Sequence, residues 1–456
     1  MAQTAKIHEN KMGYMPVKKL IVSMSLPMMV SMMVQALYNI VDSIFVSQIS
    51  ESALTAVTIA FPLQNLMIAV GSGTGVGINA LLSRSLGEKN QEQVDKAANS
   101  GIFLNLISFG LFLVLGAFAA GPFIATQTGD PEIIGYGVTY LRYVCMLSFG
   151  LFFQMTFERL LQSTGLTMQS MASQLAGAVF NIIMDPVLIF GIGPFPEMGV
   201  AGAALATVLG QMLGASIGLG LNLKYNSRWI HFSLKKVLRP DRKTVGRIYY
   251  VGIPSILMMA IGSVMTYLMD LILAAFSSTA IAVFGVYFKL QSIFFMPIFG
   301  LNNGLIPVLA YNLGAREETR IKEALRFAAK LAVLVMCAGT LVFEFFPGPL
   351  LRLFNASAQM ESIGKAALRI IAIHFPLAGL SIVLSSTFQA FSRSFYSLIV
   401  SVSRQLLVLI PVAFALARLG NVDLVWFAFP IAEVVSLIVT LIFFRKIRRE
   451  VIETLG

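Results

Sequence analysis

A chain of 456 residues that is 57% hydrophobic and only 12% charged cannot cover itself with a wetted surface, since soluble chains are about 45–50% apolar and about 25% charged. That excludes a soluble enzyme, a nucleic-acid-binding domain and a disordered protein. The net charge of +11 does not revive the nucleic-acid reading, because the Lys and Arg residues sit mostly between long apolar runs, as in a polytopic membrane protein.

In chain order, the first apolar run starts near Leu20 and continues to about Ile49. No small-residue cleavage site follows a short apolar core, so it reads as a retained span and not a signal peptide. Twelve runs are long enough to cross a bilayer, which takes about 20 helical residues. They cover roughly 20–46, 53–81, 98–124, 133–156, 168–191, 199–223, 248–276, 280–311, 324–346, 360–388, 395–417 and 423–444. The runs are continuously apolar and do not alternate, which favours helices over barrel strands. Cys145 and Cys337 both fall inside such runs; they offer neither a disulfide framework nor metal-ligand spacing and read as small core residues.

Orientation follows from the basic residues. With the N-terminus in the cytoplasm, the cytoplasmic segments hold 25 Lys and Arg, from Lys6 in the first segment to Arg449 in the last, and eight of them lie between Lys224 and Arg247. The opposite loops hold 2, Arg352 and Arg418. The positive-inside rule then places both termini in the cytoplasm, on a multi-pass protein expected in the cell membrane.

The chain also repeats itself at one fixed offset, the one that carries Pro27 onto Pro254. In that register Phe61, Leu63 and Gln64 match Phe288, Leu290 and Gln291; Gly73 and Gly77 match Gly300 and Gly304; Gly137, Leu141 and Arg142 match Gly364, Leu368 and Arg369; Gln162 matches Gln389. Six spans per half return the chain to its starting side, so the halves share one orientation, related by an axis along the membrane normal. The expected fold class is an all-α membrane protein of twelve transmembrane helices in two homologous six-helix bundles. Residues 1–223 form the first lobe, 224–247 a basic cytoplasmic linker and 248–456 the second lobe. Such a pair of bundles around a midplane cavity makes an alternating-access transporter by default.

Three stretches carry a resemblance: SLPMMVSMMVQALYNIVDSIFVSQI (25–49), LLQSTGLTMQSMASQLAGAVFNIIMDPVLIFG (160–191) and GVAGAALATVLGQ (199–211). They resemble the multidrug and toxic compound extrusion (MATE) transporters, most closely the bacterial DinF-like and MepA-like branch, and the likeness covers nearly the whole chain. It implies two six-helix lobes facing each other in a V, and export of organic, often cationic compounds in exchange for H⁺ or Na⁺.

An acid near the bilayer centre costs about 2.5–3.5 kcal/mol on insertion scales, so each one needs a reason. Asp42 late in the first span and Asp185 late in the fifth share one depth, because both spans run outward. Asn181 precedes Asp185 by one helical turn; Gln35, Tyr38 and Asn39 precede Asp42 on one face; Thr207 opens the sixth span. Two carboxylates in a dry site favour the holding of one proton between them, and the same oxygens suit Na⁺. The resemblance implies this coupling role for Asp42, Asn181 and Asp185, with Gln35 and Thr207 beside them; Na⁺ would sit at Asp42, Asn181, Asp185 and Thr207. The plainer alternative is a hydrogen-bond network that pins the first span to the fifth.

The second half lacks this set. At the repeat offset Asp185 falls on Val412, Asn181 on Val408 and Asp42 on Met269, with Asp270 one position further on. Asp270, Met33, Met259 and His374 are the candidates for the substrate cavity, the methionines because their side chains adapt to varied ligands. Lys289, which replaces Pro62 of the first half, is the expected partner of Asp270. Glu344 reads as snorkelling to water, and the environment of Glu433 is left open. The run GSGTGVG (71–77) lacks the Gly-Lys-Ser/Thr of a phosphate loop and reads as close helix packing.

The expected function is a secondary antiporter that exports organic cations, works as a monomer among membrane lipids, and needs no cofactor beyond H⁺ or Na⁺ as coupling ion. One rival is a lipid-linked oligosaccharide flippase of the same superfamily, which more usually has about fourteen spans and a cationic cavity. The other is a membrane-embedded enzyme, for which no catalytic motif is present.

Overall fold

In a hydrocarbon environment every backbone N–H and C=O must find its partner inside the segment, so long apolar runs become helices. The computed structural model describes residues 10–354 and 356–455; Lys6 lies outside them. Among the described residues, ten helices are long and apolar enough to cross a membrane, and two helix pairs bent by 45° bring the total to twelve if each pair is one span. The first six are α1 (Val17–Ser47), α2 (Glu51–Gly87), α3 (Gln91–Phe118), α4 (Pro131–Met146 and Phe149–Ser163), α5 (Thr167–Phe190) and α6 (Val200–Leu221). The second six are α7 (Arg242–Ala274), α8 (Ser278–Gly314), α9 (Glu318–Phe345), α10 (Ala358–Ala372 and Phe375–Ala390), α11 (Ser394–Ala417) and α12 (Val422–Ile452).

The repeat is written into the local structure. Ser50 caps α2 by accepting from the Ala53 N–H, and its repeat mate Ser277 caps α8 by accepting from the Ala280 N–H. Asp130 and Ser357 cap α4 and α10 in the same register. Each cap satisfies a backbone donor that the first turn leaves orphaned. Lys89 and Arg316 occupy matched left-handed positions after α2 and α8, with φ of 55° and 59°.

The chain packs as two compact units. The first holds residues up to Tyr14 and then Val30–Ile256; the second holds Met15–Met29 and Leu257–Gly456. The boundaries therefore fall inside α1 and α7, and not in the linker, and the residues at the two breakpoints, Met29 and Ile256, are themselves repeat mates. The first stretch of α7 packs with the first unit through the glycines of α2. A Cβ on Gly73 would lie 2.4 Å from Ile256 Cγ1, and one on Gly77 would lie 2.2 Å from the Ile248 carbonyl oxygen. In the second unit, a Cβ on Gly300 of α8 would lie 2.5 Å from Met29 Cα of α1, and one on Gly304 would lie 2.7 Å from Ser25 Cα. Glycines at matched positions thus admit matched helices. Close packing, and no ligand loop, is what the glycine run provides.

Two expectations are corrected. Cys145 is buried, but Cys337 is exposed: an apolar helix in a bilayer can turn an apolar residue outward to lipid as well as inward. No ion pair joins Lys289 to Asp270 among the described residues; Asp270 is half-buried on α7 without it.

Candidate functional site

The polar centre of the first unit is built on α5 and α6, which small residues bring into contact. A Cβ on Gly177 would lie 2.7 Å from the Gly210 carbonyl oxygen, and one on Gly202 would lie 2.4 Å from that of Leu188. At that separation Asn181 of α5 reaches across to α6. Its side-chain amide donates to Thr207 Oγ1 and to Asp185 Oδ1, each at 3.4 Å. Asp185 is 0% exposed. Pro186 follows it and has no N–H, which frees a carbonyl one turn back in the helix.

From α1, the Asp42 side chain comes within hydrogen-bonding reach of Asp185, and the Tyr38 phenol lies within electrostatic range of both acids. One turn nearer the start of α1, Gln35 accepts from Gln174 of α5 at 3.2 Å. The structure thus gathers Asp42, Asp185, Asn181, Thr207 and Tyr38, and ties Gln35 to the same helix pair. Asn39 is exposed, and its carbonyl accepts from Ser43 along α1.

The acceptors outnumber the donors. Asp42 Oδ1, Asp185 Oδ2, Asn181 Oδ1 and Gln211 Oε1 are all buried without a hydrogen-bond partner. Gln211 stands one turn after Thr207 on α6. Leaving a buried polar atom unsatisfied costs about 1–3 kcal/mol. Four such oxygens, two of them carboxylate, are left without a donor in this one unit.

Two contributors are not apparent from hydropathy. Glu158 is only 8% exposed, accepts from Gln154 Nε2 at 2.9 Å and lies within electrostatic range of Tyr38. Falling hydropathy ends the fourth span at 156, whereas α4 continues buried to Ser163. Its signal is Gln154 one turn before an acid that shares its helix with Phe153, Phe157, Leu160 and Leu161. Gln211 is visible in the sequence as a lone amide in an otherwise apolar helix.

The second unit is arranged differently. Glu433, 2% exposed, meets Arg404 at 3.5 Å. Arg404 lies in a π-helical stretch of α11, Ser403–Leu409. His374 is buried at the bend of α10, where its Nδ1 lies 2.5 Å from the Ile371 carbonyl oxygen and its ring stacks on Phe429. Those contacts hold the ring in place through Nδ1 and one face. Met33 and Met259 are exposed, at 48% and 37%. Arg369 donates to the Glu344 carbonyl oxygen, which fixes it as an anchor between α9 and α10.

Comparison with known proteins adds three findings. The family model MatE matches residues 27–187 and again 254–415, two segments whose first residues, Pro27 and Pro254, are repeat mates. Among curated proteins, the chain is 27% identical over 419 residues to an FAD transporter of Shewanella oneidensis, covering 92% of each chain, and 26% identical over 415 residues to the multidrug export protein MepA of Staphylococcus aureus, covering 90% of each. Among solved structures, it is similar to a multidrug resistance MATE family transporter in an outward-facing conformation, with a TM-score of 0.90, 25% identity, and coverage of 100% of this chain and 99% of that one.

Proposed function

Because the chain belongs to the MATE family of transporters, we propose that it is a secondary antiporter that exports organic compounds, cations foremost, and that the acid pair of the first unit takes the coupling ion. The observation that carries this reading is the excess of buried acceptors around Asp42 and Asp185. With both acids ionised, two carboxylates face each other with no donor between them. One proton shared between them supplies that donor. Na⁺ would use the same oxygens, with Asn181 and Thr207 completing the set.

Either cation cancels charge that would otherwise attract a cationic substrate. Substrate and coupling ion then oppose each other's binding, by the same factor in each direction. Mutual exclusion of two ligands is what exchange needs. Asp270, Met33 and Met259 are the candidates for substrate contact, since all three keep exposed surface within apolar helices.

The charge asymmetry supports an orientation with both termini and the Lys224–Arg247 segment in the cytoplasm of a cell-membrane protein. Cysteines placed in that segment should label only from the cytoplasmic side, and labelling from outside would reverse the topology.

The test of function is uptake and efflux of a fluorescent organic cation in proteoliposomes under an imposed pH gradient or an imposed Na⁺ gradient. One gradient should drive transport and the other should not; transport indifferent to both would sink the antiport reading. A second reading rests on the FAD-transporting relative. FAD carries phosphates that paired acids would repel. Gradient-driven movement of FAD without movement of the cationic dye would favour it.

A further inference from the structure

The stretch that runs from the end of α6 into the first turns of α7 belongs to the first unit and takes no part in the acid pair. From Lys224 to Arg247 it carries eight Lys and Arg against Asp241 alone, and all eight are exposed. Its backbone is nevertheless held firmly on the first two turns of α3. Asp95 accepts from the His231 N–H at 2.9 Å and meets Lys236 Nζ at 3.3 Å. Asn99 donates to the His231 carbonyl oxygen and accepts from the Ser233 N–H. Gln91 donates to the Trp229 carbonyl oxygen at 2.7 Å. Trp229, Ile230 and Val237 are buried by this docking.

The docked face is therefore covered by α3, and the opposite face is not. In the one-turn helix Leu234–Leu238, Leu234 and Leu238 are 75% and 60% exposed. They stand one turn apart, so they project together. Lys235 and Arg239 follow each of them in sequence. Apolar groups beside cationic ones, at the ends of two spanning helices, match a bilayer surface. Leucines enter the acyl boundary there, and Lys and Arg meet phosphate. A nucleic acid would answer the charge and leave the leucines in water.

We propose that the Lys224–Arg247 segment is a binding site for anionic phospholipid headgroups of the adjoining leaflet, with Leu234 and Leu238 inserted among the acyl chains and the α3 contacts of Asp95 and Asn99 as its rigid base. The experiment is hydrogen exchange on the full-length protein in nanodiscs of phosphatidylcholine alone or with one third phosphatidylglycerol. Amides of residues 233–239 should exchange several-fold more slowly with the anionic lipid, while those of residues 95–99 stay unchanged. The double variants Leu234→Ser/Leu238→Ser and Lys235→Ser/Arg239→Ser should each lose that slowing with exchange at 95–99 intact, which shows that the base still folds. Equal exchange in the two lipids, or slowing that survives both double variants, would overturn the proposal. So would slowing reproduced in neutral nanodiscs by inorganic phosphate, which marks a free-anion site, or by soluble polyglutamate, which marks an acidic protein partner.

Discussion

Helices α5 and α11 occupy the same place in the repeat, yet they carry opposite chemistry. On α5, Asn181 and Asp185 are buried with oxygens that lack partners. Their counterparts on α11 are Val408 and Val412, beside a π-helical stretch that turns Arg404 toward Glu433. Around this difference the two units share caps, bends and glycine contacts in one register. A packing frame tolerates duplication because it is set by shape. A charged site need exist only once, and the copy is free to become apolar or to pair its charges internally.

The largest effect should come from removing that difference. Asp42→Asn and Asp185→Asn retain volume and hydrogen bonding, and each should reduce gradient-driven transport on the order of a hundredfold, the upper range of coupling between two ligands. The purified variants should remain monodisperse. Wild-type transport in both would mean that the acid-bearing unit is not the coupled one.

Next come the glycines, which test the shared frame. Gly73→Ala and Gly300→Ala should each destabilise the protein in detergent by about 1–3 kcal/mol through overpacking, read as a lower unfolding midpoint. Gly300→Ala should cost more, because its Cβ would lie 2.5 Å from the backbone of Met29, whereas the backbone atoms nearest a Cβ on Gly73 lie at 2.9 Å and its closest neighbour is the Ile256 side chain. A neutral effect at one site and a large one at the other would break the equivalence of the two frames.

Glu433→Gln addresses the second unit. The amide keeps the shape of the acid and can still accept from Arg404, which is only partly buried, so the loss of stability should be about 1 kcal/mol, the worth of one hydrogen bond, with transport nearly unchanged. Collapse of transport would assign coupling to the second unit as well.

The smallest effect is at the start of α7. Asp241 accepts from the Thr244 N–H and hydroxyl at 2.9 and 2.7 Å, and these bonds hold its carboxyl below the usual carboxylate range. Asp241→Ala should cost about 0.5–1 kcal/mol. A lowered folded-state pKa stabilises fully above the unfolded value of about 3.9 and is lost as pH falls through the folded one. Wild type and variant should therefore differ in melting temperature at pH 7 and converge in strong acid.

Helix number, repeat register and the partnership of Asp185 with Asn181 are legible in the sequence because each rests on local spacing: apolar length, an offset, a turn of helix. The contact of Thr207 with Asn181 is only suggested there, since it depends on how closely α5 approaches α6. Glu158 is hidden because hydropathy alone cannot tell a helix that leaves the membrane from one that stays buried against polar neighbours. Asn39 is misplaced by spacing alone, because a helical face has edges as well as a centre: its neighbours Tyr38 and Asp42 turn inward while it turns out. Exposure separates Cys337 from Cys145 for a related reason, since an apolar run does not say which of its faces meets lipid.

The breakpoints at Met29 and Ile256 also bear on how the protein is made. Residues Met15–Met29 are made well before the rest of their unit, which is built mainly from residues beyond Leu257. The first unit in turn stays incomplete until Ile256 has been synthesised, beyond the linker. The first unit therefore cannot finish until the second half of the chain is under way, the second has to keep an early segment waiting for its own half, and contacts across so long a sequence separation form slowly. A cut at the linker would accordingly yield two fragments, each missing a helix segment that it needs and carrying one that belongs to the other, so co-expressed halves should be recovered only as a complex.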